Sequence, residues 1–197
     1  MKINLVGISG HSGSGKDTVG EMIKFILSGT IKNPSYANYK YFRMFSIYTR
    51  KQFEIKKFAT GVKEIGGLLL NTSPKSFESH EFKDSPSSLY SDKTNRDILI
   101  GIAEGLKERI NKNIWLDQVF KNYDPDKSKW IITDVRFENE VEKIKKERGV
   151  ILYKEHKKEQ TLNPTMNILY SDRSISYYEN RKDLFNTLKE ICEKHIM

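Results

Sequence analysis

The chain is poor in the features that would put it in a membrane or stabilise it with disulfides. Its 197 residues include one cysteine. One cysteine cannot build an internal disulfide framework or a cysteine-rich zinc site. Cys192 lies beside the apolar face of a C-terminal helical pattern and reads as a packing residue. No apolar run approaches the ~18 residues of a membrane-spanning helix. The stretch from Met1 to Gly10 is briefly apolar but lacks signal-peptide organisation, and it runs straight into glycines and charges. No repeat at a solenoid period is present. The expectation is a soluble, cytoplasmic protein that is not held at a membrane.

What the chain does have is positive charge and aromatic bulk. Lys and Arg number 34 against 26 Asp and Glu, for a formal net charge of +8. Such a surplus favours anionic partners: nucleotides, nucleic acid or an anionic surface. Ten Phe, ten Tyr and two Trp argue against wholesale disorder. A chain of this length buries roughly 70% of its unfolded surface, so it can hold a core without staples. It fits one domain, or one domain with an inserted lobe.

Hydrophobic patterning alternates between the two regular structures. Ile3 to Ile8 reads as a buried strand, followed by a glycine loop from Gly10 to Gly15. Val19, Met22, Ile23, Ile26 and Leu27 then share one helix face, which Ser28-Gly29 ends. Residues 30–52 are tyrosine-rich and basic, without a clear period, and read as an irregular excursion with room for a short helix. A second strand is expected over Phe53 to Ala59. A helix follows over Gly61 to Leu70, with Val62, Ile65, Leu68 and Leu69 inward. Residues 71–93 are loop-like.

Thr94 to Asp97 forms a capping box with Asp in place of Glu. It opens an amphipathic helix carrying Ile98, Leu99, Ile102, Ala103, Leu106 and Ile110. Trp115, Leu116, Val119 and Phe120 mark another helix. Further strands are expected at Trp130 to Thr133, Val150 to Tyr153 and Ser174 to Tyr178. Helices follow at Glu138 to Arg148, ended by Gly149 as the C′ residue, and at Lys182 to Ile196. Alternating strands and helices predict an α/β fold with a parallel sheet and right-handed crossovers.

One motif carries chemistry. Gly10-His11-Ser12-Gly13-Ser14-Gly15-Lys16-Asp17-Thr18 matches the P-loop form G-x-x-x-x-G-K-[ST] up to its last position. Glycines let the backbone turn N–H groups toward a phosphate. The helix starting near Lys16 adds the positive end of its dipole, and Lys16 can reach the β and γ phosphates. The candidate ATP-binding set is therefore Gly10, Ser12, Gly13, Ser14, Gly15, Lys16, Asp17 and Thr18. The hydroxyl that normally follows the lysine and holds Mg²⁺ is replaced by Asp17, with Thr18 one place later. Asp17 could bind magnesium through water, accept a proton or hydrogen bond from an acceptor, or simply favour the helix start.

Trp130 to Asp134 is an apolar strand ending in a carboxylate. That is the Walker B arrangement, and it makes Asp134 a candidate metal ligand beside Asp17. Arg136 could neutralise a transferring phosphoryl group. Its plainer alternative is a salt bridge to Glu138 or Glu140.

These blocks, taken in order, resemble the phage-type deoxynucleoside monophosphate kinases. The residues that carry the resemblance are Ile8 to Thr18, then Phe58-Ala59 with Val62-Lys63-Glu64. Arg96 with Ile114-Trp115 comes next, and Ile132-Thr133-Asp134-Val135-Arg136-Phe137-Glu138-Asn139-Glu140 with Gly149-Val150-Ile151 completes the set. The first and last blocks are the specific ones, and together the four span almost the whole chain.

The resemblance implies a single P-loop kinase domain over residues 1–197, with about five parallel strands flanked by helices. It implies a helical substrate-binding region near 71–125 and a lid near 154–173. It also implies transfer of the γ-phosphoryl group of ATP to a deoxynucleoside 5′-monophosphate, with Mg²⁺. Lys16, Asp17 and Arg136 would be catalytic, and Lys63, Lys83 and Arg96 would meet the acceptor nucleotide. Small-molecule nucleotides are then the expected partners, without nucleic acid. A homodimer stays open, and the cytoplasm would be the host's if the chain is phage-encoded.

The chain also departs from that pattern. Residues 30–52 are extra length, and Ile102-Ala103-Glu104-Gly105-Leu106 stands where the family often has a Leu-Gly-Thr turn. The lid offers Lys154, Lys157 and Lys158 but one arginine, Arg173, although arginine is the better phosphate clamp. Two other classes remain. One is a kinase of another small phosphorylated metabolite, of the phosphomevalonate or dephospho-coenzyme-A type. The other is a nucleic-acid-stimulated P-loop ATPase, which should gather its basic residues into one stripe. Here they are interleaved with acids, as in Lys143 to Arg148.

Overall fold

The computed structural model describes residues 3–45, 53–156, 171–176 and 178–196. Five strands form one parallel sheet: β1 (Leu5–Ser9), β2 (Glu54–Lys56), β3 (Trp130–Val135), β4 (Val150–Lys154) and β5 (Arg173–Ile175). Their spatial order is β2-β3-β1-β4-β5. The helices, in chain order, are α1 (Lys16–Leu27), α2 (Tyr36–Phe45), α3 (Ala59–Leu69), α4 (His80–Asp84), α5 (Asn95–Arg109), α6 (Ile114–Phe120), α7 (Glu138–Lys146) and α8 (Arg181–His195). The expected α/β class and five-stranded parallel sheet are therefore observed, in an arrangement compatible with a P-loop fold. Among the described residues no helix is long and apolar enough to cross a membrane. The chain divides into two compact units, Met1–Lys56 with Asp124–Met197, and Lys57–Tyr123.

In the first unit β1 lies in the middle of the sheet and is buried along its whole length. This explains its unbroken apolar run, since a strand covered on both faces needs no polar alternation. On one face, Val6, Ile8, Ile131 and Leu152 pack with Val19, Met22 and Ile23 of α1 and with Phe185 and Leu188 of α8. Cys192 belongs to this layer, and burial pushes its thiol up to about 12. On the other face, Gly7 leaves room for α7. A Cβ at Gly7 would lie 2.8 Å from Ile144 Cδ1 and 2.7 Å from Ile151 Cδ1.

The tyrosine-rich stretch is more ordered than its sequence suggests. Tyr36, Tyr39 and Phe42 recur on one face of α2. Phe25 of α1 meets Tyr39 and Phe42 at ring-centroid distances of 5.7 and 5.1 Å, and Phe185 of α8 at 6.2 Å. Aromatic rings here take the place of the aliphatic periodicity that usually announces a helix. The remainder of that excursion, 46–52, lies outside the described residues.

Chain direction sets where a ligand can bind. From β1 the chain travels through α1 and α2 to β2 at one edge. It then returns through β3 and crosses over β1 to β4. Right-handed crossovers made in opposite directions leave the sheet on opposite faces, so a crevice opens outside the carboxyl ends of β1 and β3. The glycine loop and Asp134 are both found at these strand ends.

In the second unit, α3 approaches its neighbours through glycine. A Cβ at Gly66 would lie 2.7 Å from Leu99 of α5, and one at Gly61 would lie 3.1 Å from the Trp115 ring of α6. This corrects the expected inward face of α3 at its C-terminal end: Val62 is buried and Ile65 half-buried as expected, but Leu68 and Leu69 are 84% and 54% exposed, because the close-packing side is shared with the glycines. The Thr94 capping box forms as expected, with the Thr94 amide donating to Asp97 Oδ2 at 2.8 Å and the Asp97 amide to Thr94 Oγ1 at 3.1 Å. Ile98, Leu99, Ile102, Ala103 and Leu106 of α5 are half-buried, while Ile100 and Ile110 are exposed.

Other boundaries shift for local reasons. The second strand is shorter than expected because Phe58 already stands at the start of α3. Residues 74–78 form a 3-10 turn and 80–84 form α4, where loop was expected. The fifth strand begins at Arg173, where Leu152 pairs with it. Both ends of the span expected to form a lid are strand. Lys154 closes β4, Arg173 opens β5, and 157–170 lie outside the described residues. At the end of α7 the left-handed residue is Arg148 (φ 60), not Gly149. Gly149 is needed for space, since its Cβ would lie 2.9 Å from Leu5 O.

Candidate functional site

The loop between β1 and α1 is built by three glycines that other residues would strain. Gly10, Gly13 and Gly15 have φ of 140°, 77° and 90°, in the region that L side chains avoid. At Gly10 a Cβ would also strike Lys154 O at 2.3 Å. Over Gly13 and Gly15 a Cβ would meet nothing within 4 Å, so the space above the loop is open. Gly15 caps α1 without a side-chain hydrogen bond. The first-turn N–H groups of a helix have no intrahelical partner, and together with the dipole they attract anions.

Lys16 folds back across this loop. Its Nζ donates to Gly10 O at 2.7 Å and to His11 O at 2.6 Å. Ser14 Oγ is buried and has no hydrogen-bond partner among the described residues. Ser12 and Gly13 are exposed and Thr18 is half-buried. A phosphate group fits this arrangement on three counts: open space over the glycines, uncapped helix donors, and a buried hydroxyl still able to bond.

A hydrogen bond ties Asp17 to the neighbouring strand end. Opposite β1, the register runs from Gly7↔Ile132 to Ser9↔Val135, so β3 carries one extra residue there. Such a bulge re-aims side chains. Thr133, 1% exposed, donates from Oγ1 to Asp17 Oδ1 at 2.7 Å. Gly20 makes that approach possible, because a Cβ there would lie 2.5 Å from Thr133 Cγ2. Asp17 is thus tied to the residue that precedes half-buried Asp134. Among the described residues no three His, Cys, Asp or Glu side chains gather into a metal-binding group. Magnesium is commonly held by one or two carboxylates plus waters and substrate phosphates, a demand that Asp17 and Asp134 fit. Arg136 is exposed just beyond β3. Its backbone N–H and that of Phe137 donate to Glu140 Oε2 at 2.7 and 3.0 Å, so Glu140 fixes the start of α7.

The second unit brings together the three cations expected to meet the acceptor. Lys63 comes from α3, Lys83 from α4 and Arg96 from α5. Lys63 Nζ pairs with Glu78 at 2.6 Å, and Lys57 reaches the same carboxylate at 3.5 Å. Arg96 Nε pairs with Asp84 at 2.7 Å. Burial holds the Lys83 ammonium below the usual lysine range, and the nearby Arg96 and Lys63 charges push it the same way. Its carboxylate neighbours, Glu78 and Asp84, oppose this. The hydrogen bond from Arg96 holds the Asp84 carboxyl below its ordinary value, and the same bond raises Arg96. Three residues separated by long stretches of chain therefore share one electrostatic neighbourhood.

Three site-building residues escaped the sequence reading, and a fourth, Lys154, was expected in the lid but stands buried at the end of β4. Thr133 was legible as a small polar residue inside an apolar strand. Lys154 is 3% exposed; its Nζ donates to Glu155 O and Ser176 O, both at 2.8 Å, while its own carbonyl lies against Gly10. It joins the ends of β4 and β5, and the lysine-rich run around it hid that. Glu78 and Asp84 looked like ordinary surface acids until the fold set them on the cations. Comparison of the chain with models of known protein families and with curated proteins finds no match.

Proposed function

We propose that this protein is an ATP- and magnesium-dependent kinase that phosphorylates a deoxynucleoside 5′-monophosphate to the diphosphate. The single observation that carries the reading is the Gly10–Lys16 loop. It is a strand-to-helix turn with left-handed glycines, open space above them, an uncapped helix start and a lysine lying across it. The backbone N–H groups of that loop hold the triphosphate of ATP, and Lys16 exchanges its carbonyl partners for β and γ phosphate oxygens. Asp17 and Asp134 would hold Mg²⁺, which when bound neutralises charge on the β and γ phosphates. Thr133 keeps Asp17 in one orientation. Arg136 stands by the same strand end as a counter-charge for the moving phosphoryl group.

Lys63, Lys83 and Arg96 take the acceptor phosphate. Little covalent work falls to the protein in such a transfer, which is accelerated mainly by positioning and charge neutralisation. Removing one well-placed cation then costs about 10²-fold in rate, or about 3 kcal/mol.

A cluster of cations recognises a phosphate rather than a base, so a kinase of another small phosphorylated metabolite is the second reading. A coupled ADP-release assay with each deoxynucleoside and ribonucleoside monophosphate in turn separates the two. The proposal expects turnover with at least one deoxynucleotide. Failure with every nucleotide, alongside turnover of a non-nucleotide phosphate ester, would replace it.

A further inference from the structure

The cation cluster of the second unit is already occupied by two of the protein's own carboxylates, and their placement is informative. Glu78 closes on Lys63 and Lys57, and Asp84 closes on Arg96. In each pair the carboxylate is the more exposed partner. Glu78 is 53% exposed against 16% for Lys63 and 23% for Lys57; Asp84 is 59% exposed against 40% for Arg96. The acids lie on the solvent side of the cations, so an anion arriving from water meets them first. Ion pairs this exposed contribute little to stability and are easily exchanged.

We infer that Glu78 and Asp84 are resident counter-ions, displaced when a phosphomonoester dianion binds to Lys63, Lys83 and Arg96, and that they make the site reject monoanionic phosphodiesters. This rests on reading the cluster as the acceptor-phosphate site. Charge balance supplies the discrimination. Glu78 and Asp84 each bring a single negative charge to these cations. A phosphomonoester carries about −1.5 to −2 near neutral pH. It replaces a single carboxylate charge with a larger one. A diester carries one charge, so its exchange with a carboxylate gains nothing in Coulomb energy. The outcome is a preference for the terminal phosphate of a mononucleotide over the backbone of a nucleic acid.

The test uses the full chain with Glu78→Gln, Asp84→Asn and the double variant. Methyl phosphate, the dianion, and dimethyl phosphate, the monoanion, are titrated at pH 8 while the side-chain NMR signals of Lys63, Lys83 and Arg96 are followed. The parent should bind methyl phosphate at least ~10-fold more tightly than dimethyl phosphate. The variants should bind both probes more tightly, and the ratio between them should shrink several-fold in the double variant. Equal or weaker binding of both probes by the neutral variants would overturn the inference. Asp84 makes its ion pair with Arg96 at the surface, so Asp84→Asn keeps the test decisive should Glu78→Gln fail to fold. If the probes behave as expected but no nucleoside monophosphate is phosphorylated, the counter-ion role stands and the kinase reading falls.

Discussion

The two regions to which we assign phosphate are built on opposite principles. The Gly10–Lys16 loop offers backbone N–H groups whose direction is set by glycine conformations and by the packing of Lys154 O against Gly10. The cluster of Lys63, Lys83 and Arg96 offers flexible charged side chains, two of them held by the carboxylates of Glu78 and Asp84. The first is a matter of shape and tolerates almost no change of residue. The second is a matter of charge, and it should respond to salt, pH and neutralising substitutions. On the proposed reading the loop holds the donor triphosphate and the cluster holds the acceptor phosphate.

The sharpest way to break this contrast is in the loop. Lys16→Ala should lower kcat by about 10²-fold or more, equivalent to about 3 kcal/mol, without lowering the melting temperature. Gly10→Ala should do what Lys16→Ala does not and lower the melting temperature by several degrees. A strained, clashing backbone costs on the order of 1–3 kcal/mol. Thermal melts alongside steady-state kinetics separate the two.

Next in size is the cluster. Lys63→Met should raise the KM for the acceptor by about 10- to 100-fold, since a charge-assisted hydrogen bond is worth about 1.5–3 kcal/mol, and leave the KM for ATP nearly unchanged. Raising the ionic strength should mimic it in the parent. A smaller effect is expected at Thr133→Val. Losing one hydrogen bond to Asp17 costs about 1 kcal/mol, or about 5-fold in activity, read best as a changed magnesium dependence.

The smallest effect is the pH response of Lys83. Its proton is held less tightly in the fold than in the unfolded chain. As pH rises through the folded value, the unfolded chain binds more protons, so stability increases across that window. Acceptor affinity should fall over the same window as the ammonium is lost, opposing the trend in stability. Lys83→Met should remove both trends, and a pH series of melts and acceptor KM values reads them together.

The parts legible in the sequence were those whose physics is local. The apolar run at β1, the glycines of the loop and the Thr94 capping box each state their structure within a few residues. Helix α2 was blurred because its buried face is aromatic and partly polar. On α3 the burial of Val62 was legible, but Leu68 and Leu69 were misplaced because glycine carries no hydrophobic signal, although Gly61 and Gly66 are what let the helices meet. Lys63, Lys83 and Arg96 were named through a family resemblance. No periodicity connects three charges so far apart in the chain, and only the fold puts them together. Glu78 and Asp84 were missed for the same reason, as was the bond between Thr133 and Asp17, which spans 116 residues.

The most direct measurement is a calorimetric titration of the full chain and of Lys16→Ala with ATP, with and without magnesium. The account predicts one saturable, magnesium-dependent site per chain in the parent, much weakened in the variant. Folded protein that takes up no ATP under either condition would contradict it.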